Sequence, residues 1–168
     1  MTSLFPHPQY AEDQPNAHAI LYLHVIRASA MAFSFLSVPY TGASLLVSRL
    51  RAQPPSSSIL ARTLLNSGRG AVVGVVAGVA MTWAQMRGRG EVEWQDRSWR
   101  LLGNKGEVQT DWETIGATGV GALGGVVAAR RGVVPLSVTR AALGGAGLGL
   151  GSGVLFMMGT YAAGRKSA

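Results

Sequence analysis

The sequence predicts an all-α membrane protein in which about four transmembrane helices pack through glycine-rich faces, and three observations carry that prediction. Charged residues make up only 14% of the 168, against roughly 25% in a soluble domain. Those charges lie between apolar blocks: Arg27 and Arg49 bracket Ala28 to Ser48, Arg69 and Arg87 bracket Gly70 to Met86, Glu113 and Arg130 bracket Thr114 to Ala129, and Arg140 and Arg165 bracket Ala141 to Gly164. Of the 23 glycines, 17 fall inside these blocks. A helix rising about 1.5 Å per residue needs around 20 residues to cross a hydrocarbon core of about 30 Å. Spans are expected near residues 20–48, 70–86, 114–130 and 141–163, within a membrane domain over 18–164. A soluble bundle would instead show polar faces at 3.6-residue spacing, and a stretch such as Ala71 to Ala80, AVVGVVAGVA, has none.

The tail over residues 1–17 carries Pro6, Pro8 and Pro15 with Glu12 and Asp13, which predicts extended chain outside the bilayer. No basic residue precedes Arg27, so no cleaved presequence is expected and targeting would be internal. The first helix should start near Asn16, pass His18, His24 and Arg27 as an interfacial turn, and kink at Pro39. A connection over Arg49 to Arg69 follows, with the turn-forming run Gln53 to Ser58, the short apolar stretch Ile59 to Leu65, four arginines and no acid. The second and third blocks are short for a bilayer and need snorkelling arginines, local thinning or protein neighbours. Between them, Arg87 to Glu113 mixes five basic and six acidic residues with Trp94, Trp99 and Trp112, suited to a membrane interface, a protein contact or a packed loop. The third connection, Arg130 to Arg140, is short and also lacks acid, and a C-terminal tail covers 165–168.

With Arg27 left out, four spans would put the first and third connections together, with seven basic and no acidic residues, opposite a side with seven basic and all eight acidic ones. The Lys and Arg counts are tied, so only net charge directs the first side to the negatively polarised compartment.

Catalytic chemistry finds little material. Without cysteine there is no disulfide framework, iron–sulfur cluster or thiolate zinc, and His7, His18 and His24 are too far apart to specify a metal site. Gly119, Gly121 and Gly124 match G-x-G-x-x-G, but no strand precedes them and no acid follows Glu113. Gly103 to Gly106, with Lys105, reads as a turn rather than a phosphate loop. Glu91, Glu93, Asp96, Glu107, Asp111 and Glu113 interleave with arginines and read as surface ion pairs. The blocks themselves hold no acid or base, which removes the usual proton-relay candidates. No catalytic residue, cofactor or metal is assigned, and the arginines form no long run of the kind that binds nucleic acid.

Two residue sets are the candidate sites. Gly70, Gly74 and Gly78 form one row at four-residue spacing; Ala117, Gly121, Gly125 and Ala129 form a second, and Ala141, Gly145, Gly149 and Gly153 a third. Residues four apart share a helix face, and a face without side chains lets backbones approach closely. Arg49, Arg51, Arg62, Arg69, Arg130, Arg131 and Arg140 should meet at one headgroup level, either as topology anchors or as a site for anionic phospholipid such as cardiolipin.

Over most of its length the chain resembles the NUXM-like accessory subunits of the membrane arm of fungal mitochondrial complex I, and more generally the Tim17/22/23-type four-helix membrane proteins. The resemblance lies in HAILYLHVIRASAMAFSFLSVPYTGASLL (His18 to Leu46), GRGAVVGVVAGVAMTWAQMRG (Gly68 to Gly88), DRSWRLLGNKGEVQTDWETIGATGVGALGG (Asp96 to Gly125) and the glycine-rich end. It implies a multi-pass protein of the mitochondrial inner membrane. Its role would be non-catalytic, supporting assembly or stability of complex I through contacts with hydrophobic core subunits and other accessory subunits. The alternative is a component of an inner-membrane protein translocase. The acidic and basic signature and the paired cysteines of translocase proteins are not matched.

Overall fold

The computed structural model describes residues 4–52 and 58–163. They form five helices, α1 (Ala17–Leu50), α2 (Ile59–Met86), α3 (Glu91–Gly103), α4 (Lys105–Arg130) and α5 (Val138–Ala162), with a 3-10 turn at Ala11–Asp13 before them. Three of these, α1, α2 and α5, are long and apolar enough to cross a membrane. Large apolar side chains such as Val72, Val76, Leu36, Leu123 and Leu155 are exposed on the outside of the bundle, as in a chain whose solvent is lipid, and we read it as a membrane protein. The fourth expected span, 114–130, is the latter part of α4; the earlier part carries Lys105, Glu107, Asp111 and Glu113, which dilute its hydropathy.

Several boundaries differ from expectation for local reasons. The second block does not begin a helix at Gly70, because the Ser58 hydroxyl accepts from Ala61 N–H and starts α2 at Ile59, taking Arg62 and Arg69 onto the helix. Residues 53–57 of the flexible run lie outside the described residues. Helix α1 continues through Pro39, while Ser37, Thr41, Ser44 and Ser48 bond back to carbonyls three or four residues earlier. The second connection is no loop: α3 fills it, with Glu91 and Glu93 in its first turn and Arg100 in its last, complementing the helix dipole. Asn104 then ends α3 and caps α4, its side chain accepting from Gly106 and Glu107 N–H. Asn104→Ala should cost about 1 kcal/mol, read as a lower unfolding midpoint in detergent.

The N-terminal tail is not free either. Gln14 is buried and donates to the Pro6 carbonyl at 2.9 Å, Trp99 donates to the Pro8 carbonyl at 2.8 Å, and His7 packs on Trp99. His7, Pro8 and the 3-10 turn thereby hold the tail against α3, while residues 1–3 and the C-terminal tail 165–168 fall outside the described residues.

Helices α1, α2 and α5 pack mutually, α4 lies along α5, and α3 lies against α1 and the 3-10 turn. The pairing is not level with the charge-free blocks. Gly70 abuts Phe33, Gly74 abuts Ala30 and Gly78 abuts Ile26, so the block beginning at Gly70 runs beside α1 from Ser34 back past Arg27, overlapping only the start of the Ala28 to Ser48 block. Arg27 is drawn into the body of the bundle, whereas Arg69 stays exposed on the outer face of α2.

Candidate functional site

Every expected packing glycine except Gly153 meets neighbouring backbone. A Cβ added at Gly74 would come 2.5 Å from Ala30 Cα, and one at Gly78 2.7 Å from Ile26 Cα; Gly70 faces the Phe33 carbonyl. On the α4–α5 seam, Gly121 and Gly145 face each other's carbonyls, Gly125 faces the Ala141 carbonyl and Gly149 the Ala117 carbonyl. Gly153 faces side chains, Met31 Sδ and Thr114 Oγ1, at the level where α1, α4 and α5 come together. A further row lies beside these: Gly144, Gly147 and Gly151 place α5 against Leu64 and Ser67 of α2 and Phe35 of α1. Its spacing of three then four residues is legible in the sequence, but the adjacent four-residue row masks it. Helix α5 thus carries glycine on two faces and holds three neighbours at once.

One helical turn from the Met31, Thr114 and Gly153 level lies an ionic cluster. Arg27, with 4% of its side chain exposed, donates from Nη2 to Glu107 Oε2 at 2.8 Å. Its Nε lies 2.5 Å from Oδ1 of Asp111, whose side chain is 1% exposed, in an ion contact rather than an aligned hydrogen bond. His24 stands 3.4 Å from Arg27 Nη2 and 3.9 Å from Glu107 Oε2. Glu107 and Asp111 are four residues apart and share one face of α4, turned to Arg27 on α1. The expectation that these carboxylates form surface pairs holds for Glu93 with Arg89 and Asp96 with Arg100, and for Glu91, which bonds to His18. It fails for Asp111, and the bundle does contain buried charge. The cause is that α4 starts two turns before its apolar block, carrying its acidic face inside. Nothing in the cluster is arranged as a nucleophile and base: both carboxylates engage a guanidinium, and the product is a tie between α1 and α4.

Other polar groups are similarly spent locally. Thr110, Thr114 and Thr118 bond to the Gly106, Thr110 and Thr114 carbonyls of α4, and Thr82 bonds to the Gly78 carbonyl of α2. Trp94 is buried against His18 and Tyr22, whereas Trp112 is half exposed. No group of three metal-ligating side chains occurs among the described residues. Gly119, Gly121 and Gly124 lie inside α4, with no preceding strand among the described residues, and Gly103 to Gly106 form the α3–α4 junction.

The expected arginine set shares one end of the bundle but not one level. Arg49 and Arg51 close α1, Arg130 and Arg131 close α4, Arg62 and Arg140 stand near the starts of α2 and α5. Arg69 is two turns beyond Arg62, roughly 10 Å deeper along the axis.

The chain belongs to the DUF1757 family, described as proteins of unknown function, whose family model matches residues 7–156. No curated protein matches it.

Proposed function

We propose that this DUF1757 protein is a non-catalytic accessory subunit of mitochondrial complex I, embedded in the inner membrane by four spans, α4 included, and supporting assembly or stability of the membrane arm. The observation that carries the reading is how the polar groups are used. Arg27 is consumed by Glu107 and Asp111, and the threonines of α4 bond to their own backbone. These described groups are engaged within the bundle, while wide apolar surfaces on α2 and α4 are exposed and would suit hydrophobic core subunits, other accessory subunits and lipid. The shape is that of a packing element whose chemistry belongs to its partners.

The resemblance supplies the assembly; the DUF1757 description assigns none. The translocase alternative needs a polar path for a polypeptide. The groove between α1 and α4, roughly 260 Å3, is lined mainly by apolar residues such as Ile26, Ile115 and Leu150. Deletion of the chain tests both readings. The expected result is a smaller or less abundant complex I on blue-native gels, with reduced NADH dehydrogenase activity and normal precursor import. Unchanged complex I with impaired import would overturn the proposal.

A further inference from the structure

The α2–α5 face carries a second feature that helix packing does not explain. An open groove of roughly 480 Å3 is lined by Leu65, Arg69, Val72 and Val73 of α2 and by Arg140 and Leu143 of α5. Both arginines are exposed, and neither makes an ion pair with any described residue. The described carboxylates belong to the tail, α3 and the start of α4, at the other end of the bundle. The contrast with Arg27 is direct: that buried guanidinium has two carboxylates, while the exposed Arg69 has no anion among the described residues.

Position makes that imbalance consequential. Gly70 abuts Phe33 and Gly151 abuts Phe35, so the Arg69 backbone lies level with the middle of α5. An unpaired charge at that depth in a bilayer is costly. Helical side chains lean towards their own N-terminus, which for α2 is the end where Arg140 stands, so Arg69 reaches along the groove towards Arg140. Both arginines line this one groove, Arg140 at its mouth, with Val72 and Val73 continuing as an apolar wall deeper in.

We infer that this groove binds one anionic phospholipid, its phosphodiester held between Arg69 and Arg140 and one acyl chain lying over Val72, Val73 and Leu143. The inference rests on the membrane embedding proposed above, but not on the identity of the surrounding complex. Guanidinium is suited to phosphate because it presents several fixed donors on a weakly hydrated cation. The site narrows the general expectation of a basic face: two of the seven arginines form a pocket with an apolar floor, while Arg130 and Arg131 lie at the exposed end of α4.

Native mass spectrometry of the full chain, reconstituted with equal phosphatidylcholine, phosphatidylglycerol and cardiolipin and then delipidated in steps, tests this. The wild-type chain should retain one anionic lipid after phosphatidylcholine is lost. The Arg69→Gln/Arg140→Gln variant should lose that lipid at least tenfold more readily, whereas Arg130→Gln/Arg131→Gln should keep it. Equal retention of phosphatidylcholine by the wild type would overturn the site without reliance on any variant. So would equal loss from both double variants, which would make the arginines a diffuse topology anchor. A photoreactive side chain at Val73 in native membranes should give a lipid adduct; a polypeptide adduct instead would mean that a protein partner fills the groove. None of these results depends on whether the chain migrates with complex I, so failure of the site and failure of the proposed assembly are distinguishable.

Discussion

Arg27→Met destabilises the folded chain by about 3–5 kcal/mol, because it leaves Glu107 and Asp111 facing each other in a buried site without their cation. The second change Asp111→Leu then recovers much of that loss, since replacing both members of a buried pair by apolar groups removes the desolvation cost together with the attraction. The comparison is a double-mutant cycle on unfolding in detergent. A large coupling between the sites is expected; additive losses would mean that Arg27 acts through packing alone. Glu107→Gln, at a partly exposed partner, should cost less than Asp111→Ala.

Gly121→Leu separates α4 from α5 and costs about 3 kcal/mol or more, beyond the usual range for overpacking, because the added Cβ meets the Gly145 carbonyl rather than a side chain that can turn away. The same substitution at Gly116, on the same helix with nothing within 4 Å of its added Cβ, should be nearly neutral in the isolated chain. Gly74→Leu and Gly149→Leu test the other seams, against Ala30 and Ala117. Subunit retention in mitochondria should follow the same order. Normal incorporation of the Gly74, Gly121 and Gly149 variants would contradict the packing account.

Legibility in the sequence followed the range of the interaction. Rows of small residues four apart are a local property of one helix, so Gly70, Gly74 and Gly78 could be picked out as one face before any partner was known. Their opposite numbers were not readable: nothing in the sequence says that Gly74 meets Ala30 rather than a residue ten positions further along α1. The charge pattern marks where spans end along the chain but not which residues of neighbouring helices stand side by side. Arg27 ends a block in sequence, yet in space it enters the bundle with its own counter-charges, brought from 80 and 84 residues away at Glu107 and Asp111. A clue existed in the two acids one turn apart on a single face, directly before an apolar stretch. The helical nature of Glu91 to Gly103 was hidden for a different reason: its charge density resembles a loop unless its amphipathic spacing is followed. Asn104 and Ser58 are ordinary caps, and they moved helix starts because each offers a side-chain oxygen to the first free N–H groups.

The proposed four-span body, with its buried charges spent on one another, turns on whether α4 crosses the membrane beside α1, α2 and α5. Because the chain has no cysteine, single cysteines at Ala52, Gly90 and Val133 can be labelled in sealed vesicles with a membrane-impermeant reagent against a clean background. The account predicts that Ala52→Cys and Val133→Cys react from the same side and Gly90→Cys only from the other. Labelling of Val133→Cys from the Gly90 side would mean that α4 does not cross the membrane, and would contradict the account.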